Sequence, residues 1–121
     1  MKRSMMQVYV KGSLEAIALY QKAFDAELVV GYLNDDGTYM HAELDIYGNI
    51  VAISESTEAA ITGNTMQFCF HYGVGNDGLV QRAYEHLRQQ GVINYELGEC
   101  SYSPLMTDLT DKFGVRWCLF V

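Results

Sequence analysis

The chain has 121 residues, half of them hydrophobic and only one a proline, enough for one packed core and too ordered in composition for extensive disorder. Fifteen acidic against eight basic residues give a formal charge of −7, which argues against nucleic acid as a partner, because phosphate neutralisation needs a basic face. No run reaches the roughly 18 apolar residues of a membrane span.

In chain order, "MMQVYV" (5–10) has strand composition and "GSLEAIALYQKAFDA" has a helical period. Its expected stripe is Leu14, Ile17, Ala18 and Phe24, with Ser13 as the cap and Glu15 near the positive helix end. "ELVVGYL" is a strand, and "NDDGT" is a hairpin turn in which Gly37 takes positive φ. "YMHAELDI" alternates, "YGN" turns and "IVAIS" is a short buried strand. A polar connector over 55–64 follows.

The second half repeats the order. "MQFCFHY" is a strand, and "NDGLVQRAYEHLRQQG" is a helix capped by Asn76 or Asp77, striped by Val80, Ala83, Tyr84 and Leu87, and stopped at Gly91. "VINYEL" and "CSYSPLMTDLT" are strands, "DKFG" turns, and "VRWCLFV" is the last strand. Tyr20 to Gly48 spans 28 positions and Tyr84 to Gly114 spans 30, so the two halves match in spacing as well as order. The expectation is one α+β domain over 1–121 made of two βαβββ modules, about 1–55 and about 65–121.

The stretches "EAIALYQKAFDAE" (15–27), "MHAELDIYGNIVAIS" (40–54) and "DKFGVRW" (111–117) resemble the vicinal oxygen chelate superfamily. That group holds glyoxalase I, extradiol dioxygenases and bleomycin- and fosfomycin-resistance proteins; the resemblance is greatest to its PhnB-like branch. It covers nearly the whole chain. It implies a half-barrel mixed sheet with helices outside and a ligand in the cupped face. It says less about reaction, since one scaffold hosts several chemistries.

Strand alternation then assigns the cup face. With Met40, Ala42, Leu44 and Ile46 under the helices, His41, Glu43 and Asp45 point the other way. With Met66, Phe68, Phe70 and Tyr72 inward, Gln67, Cys69 and His71 lie opposite. The ligand-binding set expected is Gln7, Tyr9, His41, Glu43, Gln67, Cys69, His71, Arg116 and Cys118. A guanidinium on that face needs an anion, so Arg116 either pairs with Glu43 or holds a ligand carboxylate or phosphate. His71 is a candidate acid–base group, and the free cysteines are expected to be small buried hydrophobes.

Metal-dependent members carry His or Glu on the first, fourth or fifth, and eighth strands. The resemblance sets Met5, Gln67 (or Met66) and Cys118 at those places, and such donors do not replace a hard-ion set. The expectation is therefore a small-molecule-binding protein without the usual metal and with no cofactor. The alternative is a metal-dependent lyase, isomerase or dioxygenase with a divalent ion on a shifted site at His41 and Glu43, which stand at i and i+2 of one strand face. No nucleophile elbow, phosphate loop or H-x-x-x-H motif is present.

Cys69, Cys100 and Cys118 are odd in number and without CxxC spacing, which fits reduced thiols. The N-terminus "MKRSMMQVYV" shows no secretory apolar region, so a cytoplasmic location is expected. A homodimer is expected from family members of this size and from sheet edges that need cover.

Overall fold

The computed structural model describes residues 1–59 and 63–121. In chain order its elements are β1 (Met6–Val10), α1 (Ser13–Phe24), β2 (Glu27–Leu33), β3 (Tyr39–Ile46) and β4 (Asn49–Glu55), then β5 (Phe68–His71), α2 (Asp77–Leu87), β6 (Val92–Gly98), β7 (Met106–Thr110) and β8 (Arg116–Phe120). The chain divides into two compact units, Met1–Ile61 and Thr62–Val121. Part of the polar connector expected over 55–64 lies outside the described residues.

Each unit is one βαβββ module, as the sequence repeat implies. The first sheet runs β1-β4-β3-β2 and the second β5-β8-β7-β6. In both, the first strand pairs parallel to the last and the remaining pairs are antiparallel. The helices α1 and α2 are the crossovers that carry the chain from β1 to β2 and from β5 to β6, parallel strands at opposite edges of each sheet.

In the first unit, Val10, Ala42, Leu44, Ile46, Val51 and Ile53 are sealed from solvent together with Ala16, Ile17, Tyr20, Ala23 and Phe24 of α1. The α1 stripe is thus rotated from the expected one. Leu14 and Ala18 are exposed, while Ala16, Tyr20 and Ala23 face the sheet. Small residues at 16 and 23 let the helix approach closely, a packing gain that outweighs exposure of Leu14.

Ser13 is the first helical residue and not its cap; Gly12 holds the cap position in the left-handed region. The cap itself is supplied from β4. Glu55 accepts from the Gly12 and Ser13 amides at 3.0 and 2.9 Å and from Ser13 Oγ at 2.9 Å. Burial works against ionising Glu55, yet these bonds prevail and its pKa is lowered. Ser13 Oγ in turn accepts from the Tyr39 amide, tying α1 to β3.

In the second unit the α2 stripe of Val80, Ala83, Tyr84 and Leu87 is buried as expected, against Leu109, Trp117 and Leu119. Phe68 stacks on Trp117 with centroids 4.8 Å apart, and Phe70 lies 5.7 Å from the same ring. Two strands are shorter than the sequence implied. β5 stops short of Met66 and Tyr72, and β7 begins at Met106. The stretch "CSYSPL" leaves the sheet because Ser103 Oγ bonds the Leu105 and Val121 carbonyls, offering the backbone a local alternative to the ladder.

Candidate functional site

In each unit the helix covers one sheet face, and the chemistry-bearing side chains leave the other. Register places Gln7 beside Ala52 and Ala52 beside Glu43, with Tyr9 beside Ser54 and His41 beside Tyr32. Gln7, Tyr9, His41 and Glu43 therefore share the open face of the first unit, on the parity that alternation implies. Gln7 Nε2 donates to Ser54 Oγ at 3.0 Å, and Tyr9 is largely exposed.

Glu43 sits at the centre of this face and is only 3% exposed. Arg3 reaches it from the N-terminal segment, donating through Nη1 to Oε2 at 2.9 Å and through Nη2 to Oε1 at 2.7 Å. His41 Nε2 lies 3.0 Å from Oε1. Hydrogen bonds from Arg3, then from His41, hold the Glu43 carboxyl down at about 2. Both its oxygens are engaged in charge-assisted bonds.

On the second unit, Cys69 pairs in register with Cys118 and His71 with Phe120, while Asp108 lies beside Cys118 across the antiparallel ladder. The His71 and Phe120 rings stack at 4.5 Å, and Tyr102 meets Phe120 edge-on at 5.3 Å. The Tyr102 hydroxyl is 3.9 Å from Cys118 Sγ. Burial pushes the Cys118 thiol up to about 11. Desolvation of its hydroxyl end raises Tyr102 to about 12, although 60% of that residue stays accessible. Gln67 is exposed and precedes β5.

Arg116 does not pair with Glu43. Its Nε donates to Asp108 Oδ1 at 3.0 Å and its Nη2 to Asp108 Oδ2 at 2.8 Å, with Nη1 on the Asn64 carbonyl. The reason is register: Thr110 lies opposite Arg116, so Asp108 is its diagonal neighbour on the same face. The fork lowers the Asp108 pKa, and Asn94 adds a bond to Oδ1 at 3.0 Å. Each unit thus carries, on its open face, a carboxylate held bidentately by an arginine.

Arg3, Asp108, Tyr102 and Ser54 belong to these open faces beyond the set expected from the sequence. Asp108 was within reach, since "MTDLT" alternates and its even positions face as Arg116 does. Arg3 and Tyr102 act from outside the strands, where alternation carries no information. Among the described residues no group of three His, Cys, Asp or Glu gathers around a common point.

No protein-family model and no curated protein sequence matches the chain. Solved structures do. The PhnB protein from Bacillus cereus is 23% identical over 98% of each chain, with a TM-score of 0.85. Protein PA1353 from Pseudomonas aeruginosa is 17% identical, covering 99% of this chain and 97% of that one, with a TM-score of 0.81. A variant of the fosfomycin resistance protein FosX from Listeria monocytogenes, solved with Mn(II) and a dihydroxypropylphosphonic acid, is 14% identical. The match covers 98% of this chain and 90% of that one, with a TM-score of 0.73. The chain has the vicinal oxygen chelate fold, as its sequence resemblance implies.

Proposed function

We propose that this chain is a small-molecule-binding protein of PhnB-like type that works without a divalent-metal site. The observation that carries this reading is the Arg3–Glu43 fork. A hard ion needs free carboxylate oxygens, and here both are taken by guanidinium N–H groups. The residues at the positions suggested by the resemblance, Met5, Gln67 and Cys118, are too soft or too weak to make up the set. The residues do not fit a hard divalent ion.

What remains on the open faces suits an organic ligand with apolar or aromatic surface. Tyr9 and Tyr32 offer rings with free edges in the first unit, and the His71–Phe120 stack with Tyr102 does so in the second. Such amphipathic rings give large contact area with a polar handle at one end. Gln7, His41, Cys69 and the outer edge of the Arg116–Asp108 pair would supply orientation. An acidic chain favours neutral or cationic ligands over anionic ones. The protein acts as a homodimer on this reading, its outer strands meeting across the axis.

Native mass spectrometry together with elemental analysis, on protein purified without chelator, tests the proposal. An organic adduct at one per chain with no stoichiometric Mn, Fe, Ni or Zn is expected. One equivalent of tightly held divalent metal would end it and favour the shifted site, in which His41 and Glu43 are adjacent donors. In that event the double substitution His41→Ala, Glu43→Ala should abolish the uptake.

A further inference from the structure

The parallel pairing of β5 with β8 sets Phe68 against Trp117, Cys69 against Cys118 and Phe70 against Leu119. Side chains paired in register leave a sheet on the same side. Phe68 and Trp117 stack on the α2 side, so both thiols rise from the uncovered side. The two side chains are register neighbours on that side, Cys69 lying directly beside Cys118 on the adjoining strand. Cys69 is exposed and Cys118 is buried, and neither is in a disulfide.

We propose that Cys69 and Cys118 form a two-thiolate site for a soft d10 cation of the copper(I) class. Two thiolates side by side repel, so an uncompensated pair of them is unfavourable. A soft monovalent ion removes that repulsion by bonding to both, and thiolate ligands select it over hard ions. The exchange balances as one Cu(I) taken up and two protons released, leaving a bis-thiolate centre with one net negative charge. The Tyr102 hydroxyl, 3.9 Å from Cys118 Sγ, can donate to that charge.

Ligand number discriminates among metals. Structural zinc takes four ligands in a tetrahedron, and no group of three His, Cys, Asp or Glu gathers among the described residues. Copper(I) is satisfied by two thiolates in line. Position also suits the exchange. Cys69 meets the ion from solvent, Cys118 closes the site from below, and a chain of formal charge −7 draws cations toward it. The proposal stands on the thiols alone and does not rest on the organic-ligand reading.

The test is anaerobic titration of the reduced full chain with Cu(I) against the chromogenic chelator bicinchoninate. One ion per chain should transfer to the protein, with proton release in unbuffered solution. Cys69→Ser and Cys118→Ser should each weaken uptake by about 100-fold or more, whereas Cys100→Ser should keep it within about threefold. Failure of the wild-type chain to draw one ion from the chelator would overturn the site. So would full affinity in Cys69→Ser, a substitution at an exposed position whose fold is checked by circular dichroism. That variant decides the question even if the buried Cys118→Ser chain does not fold.

Discussion

The Arg3 guanidinium lies across both carboxylate oxygens of Glu43, at 2.9 and 2.7 Å, joining the N-terminal segment to the middle of β3. The ordinary carboxyl value of 4.5 falls to about 2 in this fork. A depressed acid stabilises the fold fully above its unfolded value, and the gain drains away as pH drops from 4.5 toward 2. Arg3→Ala should therefore lower the urea midpoint at pH 7, and the gap to the wild-type chain should narrow steadily as pH falls through that window. A gap of constant size from pH 7 to pH 2.5 would show that the fork is not its source.

Asp111 is a second buried carboxylate, and its work is structural. Its Oδ1 accepts from the Phe113 and Val115 amides at 2.9 and 3.1 Å, shaping the turn into β8, and its Oδ2 accepts from Trp117 Nε1 at 2.9 Å. Trp117 is sealed from solvent, so its indole N–H has no water to turn to. Asp111→Ala should cost about 3 kcal/mol or more, from a stranded buried donor and lost charge-assisted bonds. Chemical denaturation reads this, and a loss below about 1 kcal/mol would contradict the account.

These two carboxylates show what was legible in the sequence. Alternation alone puts His41 and Glu43 on one side of β3 and Arg116 and Cys118 on one side of β8, because parity is local to a strand. The module repeat was visible for the same reason: helix and strand periods recur at matched spacing. Partner choice was not legible. Whether Arg116 meets Glu43 or Asp108 depends on the β7–β8 register, which no single segment encodes. Glu55 capping α1 and Arg3 clasping Glu43 join residues more than 35 positions apart, and neither segment marks its partner. On α1 the expected stripe holds at Ile17 and Phe24 and differs at Leu14 and Ala18, because close packing selects the small Ala16 and Ala23 over the larger Leu14.

β2 is an outer strand of its sheet, and Val29, Tyr32 and Leu33 on it are 45, 59 and 60% exposed. An apolar outer strand of seven residues invites pairing with another chain. Static light scattering at micromolar concentration should give twice the chain mass of 13.6 kDa. Val29→Lys should shift the particle toward the single-chain mass without loss of secondary structure. A single-chain mass for the unmodified protein would remove the dimer from the reading.

Gly91 closes the turn after α2 at a point where there is no room for a side chain. A Cβ at this position would stand 2.5 Å from the Thr110 carbonyl oxygen and 3.2 Å from Asp111 Cα. Both are backbone atoms in the segment that leads from β7 into the Asp111 turn, so neither can swing aside as a side-chain tip would. Relief requires the α2–β6 connection to move off β7, which shifts the Thr110–Arg116 pairing and with it the Arg116–Asp108 fork. Gly91→Ala should cost about 2 kcal/mol, within the range of overpacked interiors. It should also loosen the open face of the second unit, so that amide hydrogen exchange rises in β7 and β8 more than in β3 and β4. Equal protection across both sheets would mean that the collision is absorbed in the turn alone.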